Sequence, residues 1–195
     1  MTDSLARAAL LLIDWQVGMD DPAWGPPSNP EAEANAARLL AAWRRAGQPI
    51  IHVQHLSLEP NSVFRPGQPG CAIKRTLAPA GDEPLIEKHV NSAFIGTDLE
   101  ARLHRAGITT LVLTGMQTDH CVSTTARMAG NLGFTTYVVS DATATFDRVG
   151  PDGAVVPAAE VHRVNLASLH REFATVVSTS DVLESAGRVP AVSTP

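Results

Sequence analysis

Apolar runs of strand length alternate along this chain with stretches of helical period. The first run, "ALLLID" from Ala9 to Asp14, is continuously apolar, the pattern of a strand covered on both faces. "NPEAEANAARLLAAWRRAG" follows, and its Leu39, Leu40 and Trp43 fall on one helical face. Asn29 stands where an N-cap belongs, Pro30 at the first helical position and Gly47 just past the end. A second strand runs from Pro49 to His55, and a long Pro- and Gly-rich loop from Leu56 to Pro84. A short third strand covers Pro84 to His89. The next helix opens with Thr97 and Glu100 spaced as a capping box and closes at Gly107. Strand four is Ile108 to Gly115, and a helix starts near Asp119 and ends at Gly130 or Gly133. Strand five is Thr135 to Asp141, a last helix covers Pro157 to His170, and strand six is Ala174 to Thr179.

This alternation predicts an α/β fold of three αβα layers, a six-stranded parallel sheet with helices on both faces. One domain spans residues 1–195, with a frayed tail from about Val189. In such folds ligands sit beyond the carboxyl ends of the strands, so the residues just after each strand carry the chemistry. Composition narrows the partners. The chain is 44% hydrophobic and 18% charged, with a formal net charge of -5 and no basic run. Nothing there draws it to nucleic acid or an anionic membrane. Two cysteines, Cys71 and Cys121, make no disulfide framework. The start has Asp3 ahead of Arg7, and its apolar run is cut by Asp14, which makes a poor secretory leader. The expectation is a cytoplasmic protein with reduced thiols. No GxGxxG or Walker pattern occurs, so no nucleotide cofactor is expected.

Three reactive side chains stand at strand ends: Asp14 after strand one, Lys88 at the end of strand three, and Cys121 in the first turn after strand four. Each alone has a plain structural reading as a turn residue, a solvated charge or a small hydrophobe. Together they converge on one crevice. A helix N-terminus and a neighbouring cation lower a cysteine pKa and favour the nucleophilic thiolate. Asp14 is placed to take the thiol proton and return it to a leaving amine, and Lys88 to hold Asp14 ionised. Backbone N–H groups of Gln117 and Cys121 are candidates for an oxyanion hole.

The motifs "LLLIDWQ", "EKHVNSAFIGTDLEARL" and "LVLTGMQTDHCVSTTARMAGNLGFTTYVVSDATATFD" agree in order and spacing with one family. From about Ala8 to Val177 the chain resembles the isochorismatase-like cysteine hydrolases. "NSAFIGTDL" and "TARMAGNLGF" are most similar to small members and to the streptothricin-hydrolase-like group. The resemblance implies a catalytic triad of Asp14, Lys88 and Cys121, a sheet of order 3-2-1-4-5-6 and a cis peptide at Met116–Gln117. It also implies a homo-oligomer, a dimer or a tetramer. Nicotinamidases of the family carry an Asp-x-His motif and a further His for a metal. Here "HVQHLSLEPNSVFRPG" offers His52 and His55 without that Asp, so no metal is expected.

Trp24, His55, Phe94, His120 and Phe146 are candidates for a substrate pocket, while Trp15 fits core or pocket equally. His89, His104, His162 and His170 have no partner pattern, and Cys71 reads as a spectator. The resulting expectation is cofactor-independent hydrolysis of a C–N bond in a small amide through a thioester. The rival readings are enol-ether hydrolysis of the isochorismatase type and a non-catalytic binding protein.

Overall fold

Five consecutive apolar residues make β1 (Ala9–Ile13), and all five are buried. They serve both faces of the sheet at once. Leu10 and Leu12 join one core with Leu39, Leu40 and Trp43, while Ala9, Leu11 and Ile13 join the other with Leu103, Val122 and Ala126. That split follows from the two-residue side-chain period of a strand. A computed structural model describes Leu5 and residues 7–186, and the tail expected from Val189 lies outside the described residues.

The remaining sheet strands are β2 (Ile50–His55), β3 (Leu85–Lys88), β4 (Thr110–Met116), β5 (Thr135–Ala144) and, last in the sheet, β8 (Thr175–Val177). Their order is β3-β2-β1-β4-β5-β8, and every pairing is parallel. This is the 3-2-1-4-5-6 order implied by the resemblance, with β8 as the sixth sheet strand. Helices α1 (Ala32–Ala46) and α5 (Thr179–Ala186) cover one face. Helices α2 (Leu99–Arg105), α3 (Ser123–Asn131) and α4 (Ala158–Leu169) serve the other. No helix among the described residues is long and apolar enough to cross a membrane.

Several local signals resolve differently from their sequence reading. Helix α1 begins at Ala32, because the Asn29 side chain donates to the Ser140 and Thr143 carbonyls (3.0 and 3.1 Å) instead of capping. Helix α2 begins at Leu99, since Thr97 Oγ1 donates to the Ala93 carbonyl (2.6 Å) and no Thr97–Glu100 capping box forms. Strand β5 runs to Ala144, past a register shift opposite Leu113 and Gly115. A two-stranded hairpin, β6 (Arg148–Val149) and β7 (Val155–Val156), was not expected, although "GPDG" between the strands is a turn signal. Helix α5 was also unread. Its Ser178 and Asp181 cap each other reciprocally, with Ser178 N to Asp181 Oδ2 at 2.8 Å and Asp181 N to Ser178 Oγ at 3.2 Å.

The long loop after β2 is pinned. Buried Gln16 donates to the carbonyls of His55 (3.0 Å) and Cys71 (2.9 Å) and accepts from His55 N (2.9 Å). Lys74 reaches back to Asp20 and Glu33. At the loop's far end, Glu83 takes two hydrogen bonds from Arg44 (2.7 and 2.8 Å) and one from buried His52 (2.8 Å). Arg44 pulls the Glu83 carboxyl from its ordinary 4.5 down to about 2, against the opposing effect of burial. Because the folded-state pKa is the lower one, this contribution is complete above about pH 4.5 and is lost as pH falls toward 2. Wild type should therefore lose about 1–2 kcal/mol more stability than Glu83→Gln across that window, once solvent screening at Arg44 is allowed for. Denaturant titrations at pH 5 and pH 2.5 measure it; equal losses in the two proteins would contradict it.

Candidate active site

The strand order sets three reactive side chains at one edge of the sheet. Asp14 follows β1 with φ 52, a left-handed conformation that Asp adopts more readily than most side chains. Across the same edge β4 must pass close to β1. A Cβ on Gly115 would meet the Ile13 carbonyl oxygen at 2.3 Å, so only glycine fits there. Beyond Gly115 the Met116–Gln117 peptide is cis, and a π-helical turn, Thr118–Val122, carries Cys121.

Lys88, the last residue of β3, is the hub. Its Nζ lies 2.7 Å from Asp14 Oδ2, 3.3 Å from Cys121 Sγ and 3.4 Å from His55 Nδ1. The side chains of Lys88 and Asp14 are both 0% exposed. Lysine is fully buried only when paired, and a buried pair offsets its desolvation only with good geometry. Asp14 Oδ1 is buried with no hydrogen-bond partner among the described residues, and Asp14 lines the cavity at Cys121.

Burial pushes the Cys121 thiol well above its ordinary value. The Asp14 carboxylate pushes the same way, and Lys88 pulls against both. The resting thiol is therefore protonated at neutral pH. This corrects the expectation from helix position alone: the adjacent cation and helix start do not outweigh burial plus an ionised carboxylate. Burial also lowers the pKa of His55, aided by the Lys88 charge, and of His120, against the pull of Asp119. Both rings are neutral at pH 7.

The cavity at Cys121 is small, about 170 Å³, against roughly 300–1,000 Å³ for typical ligand sites. Of the pocket candidates, Trp24, His55 and His120 are among its lining residues, together with Gln117. Phe94 does not, because it packs against Phe134 (5.8 Å between centroids) in the core beside α3. Phe146 sits behind Trp24 (5.5 Å, stacked) and faces a neighbouring cavity. Trp15 belongs to the core, donating to Thr114 Oγ1 at 3.2 Å. Cys71 is buried beside Gln16 and Gln54, away from this cavity. His52 and His55, three apart on β2, point to opposite faces, so they are not placed to share a ligand. A larger cavity of about 710 Å³ lies at the opposite sheet end, beside Arg44 and Ile108, and touches none of these reactive groups.

Sequence reading missed Asn91, whose Oδ1 lies 3.8 Å from Cys121 Sγ, together with Met19 and Phe64 of the lining. It also missed a clamp on the nucleophile turn. Arg148 of β6 donates to Gln117 Oε1 (2.7 Å) and to both Asp119 oxygens (2.7 and 3.1 Å), and Thr145 donates to Asp119 as well. His162 of α4 hydrogen-bonds Thr118 at 2.8 Å. Only the Asn three residues past Lys88 and the "GPDG" turn near Arg148 were legible hints.

A six-stranded parallel αβα sheet with a carboxylate, an ammonium and a thiol gathered beyond its strand ends is a doubly wound α/β fold with its candidate site at the carboxyl edge. The chain belongs to the isochorismatase family: the Isochorismatase domain model matches residues 8–181. It is 46% identical over 177 residues to the uncharacterized isochorismatase family protein YrdC of Bacillus subtilis, covering 91% of this chain and 95% of that one. A solved isochorismatase-family structure from Chromobacterium violaceum superposes with a TM-score of 0.92 at 47% identity, covering 94% and 95% of the two chains. Streptothricin hydrolase of Streptomyces noursei is 32% identical, covering 96% of this chain and 66% of that one. Maleamate amidohydrolase of Pseudomonas putida is 28% identical, covering 91% and 86%. The chain is thus an isochorismatase-family hydrolase by descent and fold.

The clamp gives a direct test. Asp119 is buried, which works to raise its pKa, yet the hydrogen bonds from Thr145 and Arg148 hold it below the ordinary carboxylate value. Arg148→Met should remove the guanidinium partner of that charge and lower stability by about 1–3 kcal/mol. Asp119→Asn in the same background should recover part of the loss. A denaturant double-mutant cycle reads this coupling; additive single losses would count against the clamp.

Proposed function

We propose that the protein hydrolyses a C–N bond in a small amide, with Cys121 as nucleophile. The observation that carries this reading is the buried Lys88 ammonium set between Asp14 and Cys121. Maleamate amidohydrolase among the relatives, by its name an amide-cleaving enzyme, supports the reaction class.

The chemistry starts from the protonated thiol. As Sγ attacks the carbonyl carbon, its proton passes to Asp14 and the C–S bond forms. Lys88 keeps the charge balanced while that proton moves, since the sulfur and the carboxylate lie on either side of its ammonium. Backbone N–H groups at Gln117 and Cys121 take up the oxyanion. Collapse breaks the C–N bond, and the amine leaves with the proton from Asp14. Water then attacks the thioester, Asp14 takes the water proton, and release of the acid returns the thiol. No cofactor enters any step.

Cys121→Ala should lower kcat/KM by about 10⁴-fold or more. Asp14→Asn should also lower it by removing the base that takes the thiol proton, while acid-quenched wild type should show an acyl adduct on Cys121 by intact-mass spectrometry during turnover. Undiminished turnover in Cys121→Ala would reject the nucleophile assignment, and would leave enol-ether hydrolysis as the reading to test next.

A further inference from the structure

We propose that this site selects acyl groups without net charge, flat and unsaturated, and rejects amides that carry a carboxylate. The inference rests on the amidase reading above and deepens it. It starts from the cations near the cavity. The Lys88 ammonium is already bound to Asp14 at 2.7 Å, with both side chains sealed from solvent. The Arg148 guanidinium is bound to both oxygens of Asp119 and to the Gln117 side chain. Lys88 and Arg148, the cations near the cavity among the described residues, are thus each matched by a carboxylate. Of the two imidazoles in the lining, His55 is pushed toward the neutral form by burial, and the half-exposed His120 lies 3.4 Å from the Asp119 carboxylate, which faces it as a further partner. A substrate carboxylate would enter a small cavity lined by Asp14, where among the described residues Lys88 and Arg148 are already paired with carboxylates.

The walls suit a flat group. Trp24 stacks with Phe64 (6.4 Å, 25° between planes) and with Phe146 (5.5 Å, 20°). Its Nε1–H donates to the Gly18 carbonyl at 2.9 Å, which fixes the indole plane. Met19 and Phe64 complete the apolar side. The polar side offers neutral partners, the side-chain amide of Asn91 and Gln117. Such partners serve a hydroxyl, carbonyl or second amide on the acyl group and give a carboxylate no compensating charge.

Two matched pairs isolate charge from shape: maleamide against maleamate, and fumaramide against fumaramate. Within each pair a carboxamide replaces a carboxylate of the same size, and ammonia release reports both. The expected result, at pH 7.5, is a kcat/KM at least ten-fold higher for the diamide in whichever geometry is turned over. His120→Arg, which adds a cation at the rim, should raise the relative kcat/KM for the monoamide and narrow that gap. Equal or faster turnover of the monoamide by wild type overturns the inference, as does turnover of neither pair. Retained turnover in Cys121→Ala would instead reject the nucleophile reading, whatever the charge preference.

Discussion

The ion pair between Asp14 and Lys88 is the constraint on which the rest of the site depends. Two full charges are sealed from solvent at the carboxyl edge of the sheet. Taking them out of water costs several kcal/mol per ion, and only close approach offsets that. Strand order provides the approach: β3 and β1 flank β2, so Lys88 reaches across to Asp14 past His55. The same pair governs Cys121. Its carboxylate and the surrounding burial keep the thiol protonated, and its ammonium stands ready to compensate when that proton moves. Truncating either partner would strand the other charge, a loss of about 3–5 kcal/mol. An account of activity in such variants must separate that structural loss from lost chemistry.

Around this centre the protein uses neutral or self-compensated groups. Arg148 with Asp119 braces the nucleophile turn, and Gln16 ties the ends of β1 and β2 to the long loop. Neither leaves a spare charge in the cavity. Local electroneutrality is therefore a property of the whole site, and it is what makes substrate charge a sensitive probe of the reading.

Much of the fold was legible because burial writes itself into periodicity. Continuously apolar β1, the Leu111 to Leu113 run of β4 and the Leu39, Leu40, Trp43 stripe of α1 could be assigned from residue type alone. The order of reactive residues at strand ends, Asp14, Lys88 and Cys121, followed from fold logic and from motif resemblance. What stayed hidden depends on distance in space. Asn29 found better partners on β5 than its own helix, and Arg148 sits on a two-residue strand too short for any periodic signal. Phe94 was expected at the site as a loop residue, but its ring packs in the core against Phe134. The protonation state of Cys121 was misread for a similar reason: helix position and a nearby cation are visible in a sequence, while depth of burial is not.

The account's central claim is that Cys121 rests as a buried neutral thiol beside the Asp14–Lys88 pair. Thiolate absorbs near 240 nm, so a pH titration of wild type minus Cys121→Ser isolates this one sulfur. The account predicts no thiolate signal from Cys121 below about pH 9 in the free protein, above the ordinary thiol value of about 8.5. A signal that rises with an apparent midpoint near or below pH 7 would contradict it.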